Sequence, residues 1–129
     1  MPKTKQHQEK SDRNRAFLSG IISTGPPEWV ATVAFYCAVH LVEKLRAYDG
    51  EHSTNHEERS AAIRRHYRQI QVPYHQLYEI SRLGRYGTVG QFTMSLAQVK
   101  AELVDKCLVA IEQFVAEETA KRKSKSASA

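Results

Sequence analysis

Residues Pro27–Tyr48 read PEWVATVAFYCAVHLVEKLRAY, the most apolar stretch of the chain. Val30, Val33, Ala34, Cys37, Ala38, Leu41, Leu45 and Tyr48 recur at helical spacing and form one face. Phe35, Tyr36 and Val39 cover much of the remainder. A helix apolar nearly all round needs other helices about it. At 1.5 Å per residue this one is about 33 Å long, enough to cross a small domain. Its polar interruptions, His40 and Glu43, are three residues apart and look out of the same side. We therefore expect the central helix of an all-α bundle.

The flanking segments agree. Phe17, Leu18, Ile21 and Ile22 end a first helix, about Gln6 to Ile22, whose polar N-terminal half is expected to be solvated. Gly25-Pro26-Pro27 stops it and starts the next. After Asp49-Gly50, the spacings Thr54–Glu57 and Asn55–Glu58 both suit a capping box for a third helix, from His56 to about Ile70. Ala62, Ile63, Tyr67 and Ile70 form its inner side. Pro73 opens a fourth helix, with Tyr74, Leu77, Tyr78 and Ser81 on one face. A last helix begins near Thr93 or Ser95 and runs to about Lys121. Its seam is Leu96, Val99, Leu103, Cys107, Ala110, Ile111 and Phe114, widened by Val104, Leu108 and Val115. The expected fold is an up-and-down antiparallel bundle of four to five helices. It occupies residues 1–121 as one domain, with 122–129 a disordered basic tail.

Charge is uneven. The chain carries +5, and the basic excess lies at both ends and in residues 57–86, which hold six Arg against three Glu. The balance suits an anionic partner. Cys37 and Cys107 fall on apolar faces and read as reduced core residues. The N-terminus MPKTKQHQEK is polar, and no run of 18 apolar residues occurs. A signal peptide and a membrane span are not expected, and a cytoplasmic location is. Neither a GxxxxGK[ST] nor a GxGxxG phosphate loop is present. Gly84-Arg85-Tyr86-Gly87 has GxxG spacing but reads as a helix end, since a KH domain needs strands. His52 and His56, four apart in a loop, make a weak metal signal. No cofactor and no metal are expected.

Two sets of residues point to chemistry. His40, Glu43, His52, His56, Arg59 and Tyr86 are expected to line one pocket, with histidines as acid or base and Arg59 holding a phosphate. The alternative is a buried polar pair, His40 and Glu43, reaching His52 or Arg59. Arg64, Arg65, Arg68, Arg82 and Arg85, interleaved with Tyr67, Tyr74, Tyr78 and Tyr86, suit a surface that tracks phosphates and stacks bases.

The order Trp29, His40, Glu43, then Gly50, His52, His56 and Arg59, then Tyr67, Leu77 and Ser81-Arg82 with Gly84-Arg85-Tyr86 resembles the HEPN superfamily, the higher-eukaryote and prokaryote nucleotide-binding domains. The resemblance covers roughly residues 14–120 and implies an all-α homodimer that binds RNA or nucleotides. It also implies one of two roles: a metal-independent ribonuclease of toxin–antitoxin or defence systems, or a binding module without activity. In active members an Arg and a His with four to six residues between them cleave RNA. Arg59 to His66 and Arg46 to His52 both satisfy that spacing. The resemblance therefore implies Arg59 as phosphate holder and His66 or His52 as acid/base. The reading from a different class is a non-catalytic module, antitoxin-like or adaptor, that binds a cognate protein.

Overall fold

The computed structural model describes residues 4–88 and 90–128. Helix α1 spans Thr4–Ile21, α2 Pro27–Tyr48, α3 His56–His66 and α4 Gln71–Tyr86, with a 3₁₀ turn at Arg68–Ile70 before α4. The last rod, α5, is α-helical over Leu96–Gln98, π-helical over Val99–Leu108 and α-helical again over Val109–Ser128. No strand occurs among the described residues, and the fold is an all-α bundle. No helix among them is long and apolar enough to cross a membrane.

Helix α2 is the axis. Twelve of its 22 residues are buried, and α1, α4 and α5 all pack on it. Two of its neighbours run against it. Ser11 meets Cys37 while His7 meets His40, so α1 is antiparallel to α2. Gly84 packs on Glu28 while Tyr74 packs on Phe35, so α4 is antiparallel too. A Cβ on Gly84 would sit 3.0 Å from that of Glu28, which is why these two helix ends close so tightly.

The ends of α2 and α3 follow from local chemistry. Pro27 occupies the first turn of α2, where its missing N–H costs nothing. At the other end Glu51 N–H donates to Arg46 C=O and Gly50 N–H to Ala47 C=O, with Gly50 at φ 76°. This is a Schellman motif, which wants glycine at the left-handed position. Asn55 caps α3, accepting from Glu58 N–H at 2.8 Å, so the Asn55–Glu58 spacing is the one used. The Glu58 carboxylate turns back to the N–H and hydroxyl of Thr54.

Three expectations change. Helix α3 stops at His66, because Tyr67 turns inward and donates its hydroxyl to Asp49 at 2.7 Å. The N-terminal half of α1 is not merely solvated: His7 and Ser11 are buried against α2. Helix α5 continues to Ser128, past the expected start of a tail, and Arg122 grips Asp49 through Nε and Nη2 at 2.8 and 3.0 Å. That grip, with the Tyr67 hydroxyl, holds the Asp49 carboxyl below its ordinary pKa.

The α5 seam lies inside as expected: Val99, Leu103, Val104, Cys107, Leu108, Ile111 and Val115 are buried, and Leu96, Ala110 and Phe114 half-buried. Both cysteines are free and buried, and burial pushes the Cys37 thiol up to about 12. Leu45 is fully enclosed in this core, whereas Val72 on α4 is exposed. Leu45→Ala should cost about 2–5 kcal/mol in urea unfolding, and Val72→Ala less than about 0.5 kcal/mol. Equal effects would contradict the assigned interior.

Candidate nucleic-acid interface

Part of the arginine and tyrosine set converges beside α2. A cleft of about 360 Å³ is lined by Phe35, Tyr36 and Val39 of α2, His56 and Arg59 of α3, and Tyr78, Arg82, Arg85 and Tyr86 of α4. Three guanidinium groups and three phenol rings thus share one opening. Arg85 is held in place from several sides. Its Nη1 donates to the Tyr36 hydroxyl at 3.0 Å and its Nε to Ser81 C=O at 3.3 Å. Its guanidinium carbon lies 5.5 Å from the Phe35 and Tyr36 ring centres and 5.2 Å from that of Tyr86. Cation–π attraction keeps the charge against the aromatic wall without neutralising it. Tyr86 is 76% exposed and Arg82 is also exposed, so the outer lip is open to a ligand.

The inner wall is different. Arg59 donates from Nε to Glu43 Oε2 at 2.8 Å. Glu43 is only 2% exposed. Its Oε1 accepts the Ser53 N–H at 2.9 Å and has His52 Nδ1 at 3.5 Å. Burial works against this carboxylate, yet the Ser53 hydrogen bond and Arg59 outweigh it and keep its pKa below the usual value. The buried Tyr74 hydroxyl neighbours Arg59 without hydrogen-bond geometry. His56 stacks flat on Tyr78, ring centres 3.6 Å apart and planes 7° apart. Burial, then the charges of Arg59 and His75, lower its pKa, so the ring is neutral at pH 7.

The expected pocket divides in two. His56, Arg59 and Tyr86 line the cleft, and Glu43 is sealed behind Arg59. His40 faces α1 instead, where its Nδ1 lies 3.1 Å from that of His7, and His7 stacks over His52. Of the alternative, a buried His40–Glu43 pair, only the Glu43 half holds: Glu43 reaches His52 and Arg59, while His40 turns away. His66 is exposed, rests edge-on against Tyr67, and is not brought into the Arg59 cleft. Of the remaining arginines, Arg82 and Arg85 line the cleft, Arg64 lines a groove between α3 and α4, and Arg65 and Arg68 are exposed outside it. Sequence reasoning missed Tyr36, which it counted as helix covering, and His7. Tyr36 lies 49 positions from Arg85, and no spacing rule connects them.

Among the described residues no group of three or more His, Cys, Asp or Glu side chains is arranged to hold a metal ion. The chain matches no protein-family model, and comparison with curated proteins gives no significant match.

Chemically, the cleft offers a fixed neutral imidazole, one neutralised guanidinium at its back and two unneutralised ones at its lip. Arg59→Ala would strand the Glu43 carboxylate in the interior and should cost about 3–5 kcal/mol. Adding Glu43→Gln, which keeps an acceptor for Ser53 and drops the charge, should recover much of that loss in urea unfolding. An Arg59→Ala effect no larger than that of Arg65→Ala would show the pair to be idle.

Proposed function

We propose that the protein binds single-stranded RNA or a nucleotide in the cleft beside α2, in keeping with the HEPN-like reading of its sequence, and that it acts as a homodimer as that resemblance implies. The observation that carries the reading is the convergence of Arg59, Arg82 and Arg85 with Tyr36, Tyr78 and Tyr86 around one opening. Guanidinium groups recognise phosphate oxygens with paired hydrogen bonds. Aromatic faces beside them accept bases of any sequence. Arg82 and Arg85 would take the phosphate, Tyr86 and Tyr36 the base, and Arg59 would set the depth of the cleft. Binding is favoured over cleavage by an Arg59–His66 pair, because Arg59 is committed to Glu43 and His66 stands outside the cleft.

A second reading, a module that docks a protein partner, is favoured by a different observation. Trp29 and Phe17 are each 59% exposed, large apolar side chains of the kind a protein partner covers.

Salt separates the two. Fluorescence anisotropy with labelled single-stranded RNA should give affinity that falls with salt, with a slope of about −0.7 per phosphate contacted. Arg82→Ala should flatten that slope by about 0.7. Tyr86→Ala should weaken binding by about 1–3 kcal/mol and leave the slope unchanged. Binding indifferent to salt and to both substitutions would overturn the nucleic-acid reading in favour of the protein partner.

A further inference from the structure

The N-terminal half of α1 is attached to the bundle in an unusual way. The helix is polar, and its buried residues are His7, Ser11 and Leu18. Leu18, with Ile21 and Ile22 beyond it, anchors the C-terminal end in the core. The N-terminal half has no apolar anchor. It is held by Ser11 Oγ donating to Cys37 C=O at 3.3 Å, by Lys44 Nζ donating to Gln8, and by the His7–His40 pair.

That pair has a built-in proton requirement. At 3.1 Å the two Nδ1 atoms form a hydrogen bond only if one carries a hydrogen and the other a lone pair. His7 Nε2 is buried and has no partner. A buried acceptor without a partner is cheaper than a buried donor without one. His7 therefore carries its hydrogen on Nδ1 and donates, and His40 accepts. A further proton has nowhere good to go. On His40 Nδ1 it would set two N–H groups face to face, or force the His7 hydrogen onto the buried, partnerless Nε2. On His7 Nε2 it would create a charged donor with no acceptor. The surroundings add to this. Lys10 of α1, His52 of the α2–α3 loop and Arg59 of α3 oppose positive charge here, and Glu43 of α2 favours it; Glu9 and Arg13 of α1 line the same cavity and oppose each other in sign. The Glu43 carboxylate is already engaged by Ser53, His52 and Arg59.

We propose that the His7–His40 pair is an acid-sensitive latch: it holds the N-terminal half of α1 on α2 while one hydrogen lies between the two Nδ1 atoms, and lets it go when both rings are protonated. The inference is independent of what the cleft binds.

The direction follows from linkage. Burial lowers both histidines, and His40 falls from 6.5 to about 4. Once released, the rings regain ordinary basicity, so protons favour the open form. The latch is complete above pH 6.5, weakens as pH falls from 6.5 to about 4, and is lost below that.

Hydrogen exchange read by mass spectrometry on the full chain, corrected for intrinsic rates, tests this. Between pH 7.5 and 5.0 the opening constant of the Thr4–Arg13 amides should rise about 30-fold from His40 alone. It should stay well above that of the α2 amides at both pH values. The His7→Gln/His40→Gln double variant, which keeps hydrogen-bonding groups but does not titrate, should lose most of the pH response. Three results would overturn the latch: an α1 opening constant independent of pH, exchange of these amides only together with α2, or a full pH response in the double variant. Should that variant not fold, the wild-type imidazole nitrogens, followed by NMR, decide. An Nδ1–H tautomer at His7 with late titration is expected. Ordinary titration of both rings near 6.5 overturns the latch.

Discussion

A carboxylate buried on the central helix sets the arrangement around it. Glu43 lies among the apolar side chains that pack α2 against its neighbours, and an isolated charge there would cost several kcal/mol. It is tolerated because each oxygen has a donor: the Ser53 N–H for Oε1 and Arg59 Nε for Oε2. Both donors come from beyond the end of α2. The carboxylate therefore dictates where the 51–55 loop and the first turns of α3 must lie. Helix α3 contributes few buried apolar residues of its own, Ala62 and Ile63, so this polar tie and the Asn55 cap do much to place it. Arg59 is thereby fixed as the back wall of the cleft.

The fold was readable in the chain because its main signals are local. Helix α2 is apolar on nearly every side, and only a surrounding bundle satisfies that. Its ends are marked by Pro27 and Gly50, residues whose backbone preferences suit a first turn and a left-handed cap. Where the reading drifted, a distant residue decided. Tyr67 breaks α3 because Asp49 accepts its hydroxyl, and Arg122 prolongs α5 because Asp49 accepts its guanidinium. The π-helical stretch is an instructive middle case. Its buried positions, Val99, Leu103, Val104, Cys107 and Leu108, recur every four to five residues, a longer repeat than 3.6. The wider i→i+5 winding keeps such a repeat on one side. The signal was in the spacing, although α-helical counting absorbed it into a broad seam.

The site was legible only in part, for a geometrical reason. His40 and Glu43 are three residues apart, which puts them about 60° apart around the helix axis rather than in line. Each side of that wedge has its own neighbour. His40 meets α1 and Glu43 meets α3, so a pocket expected to be single is divided by α2 itself. The histidines are sorted accordingly. His56 goes to the cleft, stacked on Tyr78, and His52 goes to the α1 side, stacked beneath His7. His7 could not be read as buried from a segment so polar, because its burial depends on a partner 33 positions away.

The two halves are joined through Glu43 but respond to acid at different points. His7 and His40 titrate below 6.5, the free imidazole value, as burial pulls them down. Glu43 starts from 4.5 and is held lower still by Ser53 and Arg59, against the pull of burial. Its pair with Arg59 contributes stability that is complete above pH 4.5 and fades only as pH falls through its depressed folded value. Between about 6.5 and 4.5, then, the tie that holds α1 is weakened while the tie that holds α3 and the cleft wall is intact. A protein built this way can loosen one helix without disturbing the arginine at the back of its cleft. The separation exists because imidazole and carboxylate begin from different intrinsic basicities, and the fold moves both in the same direction.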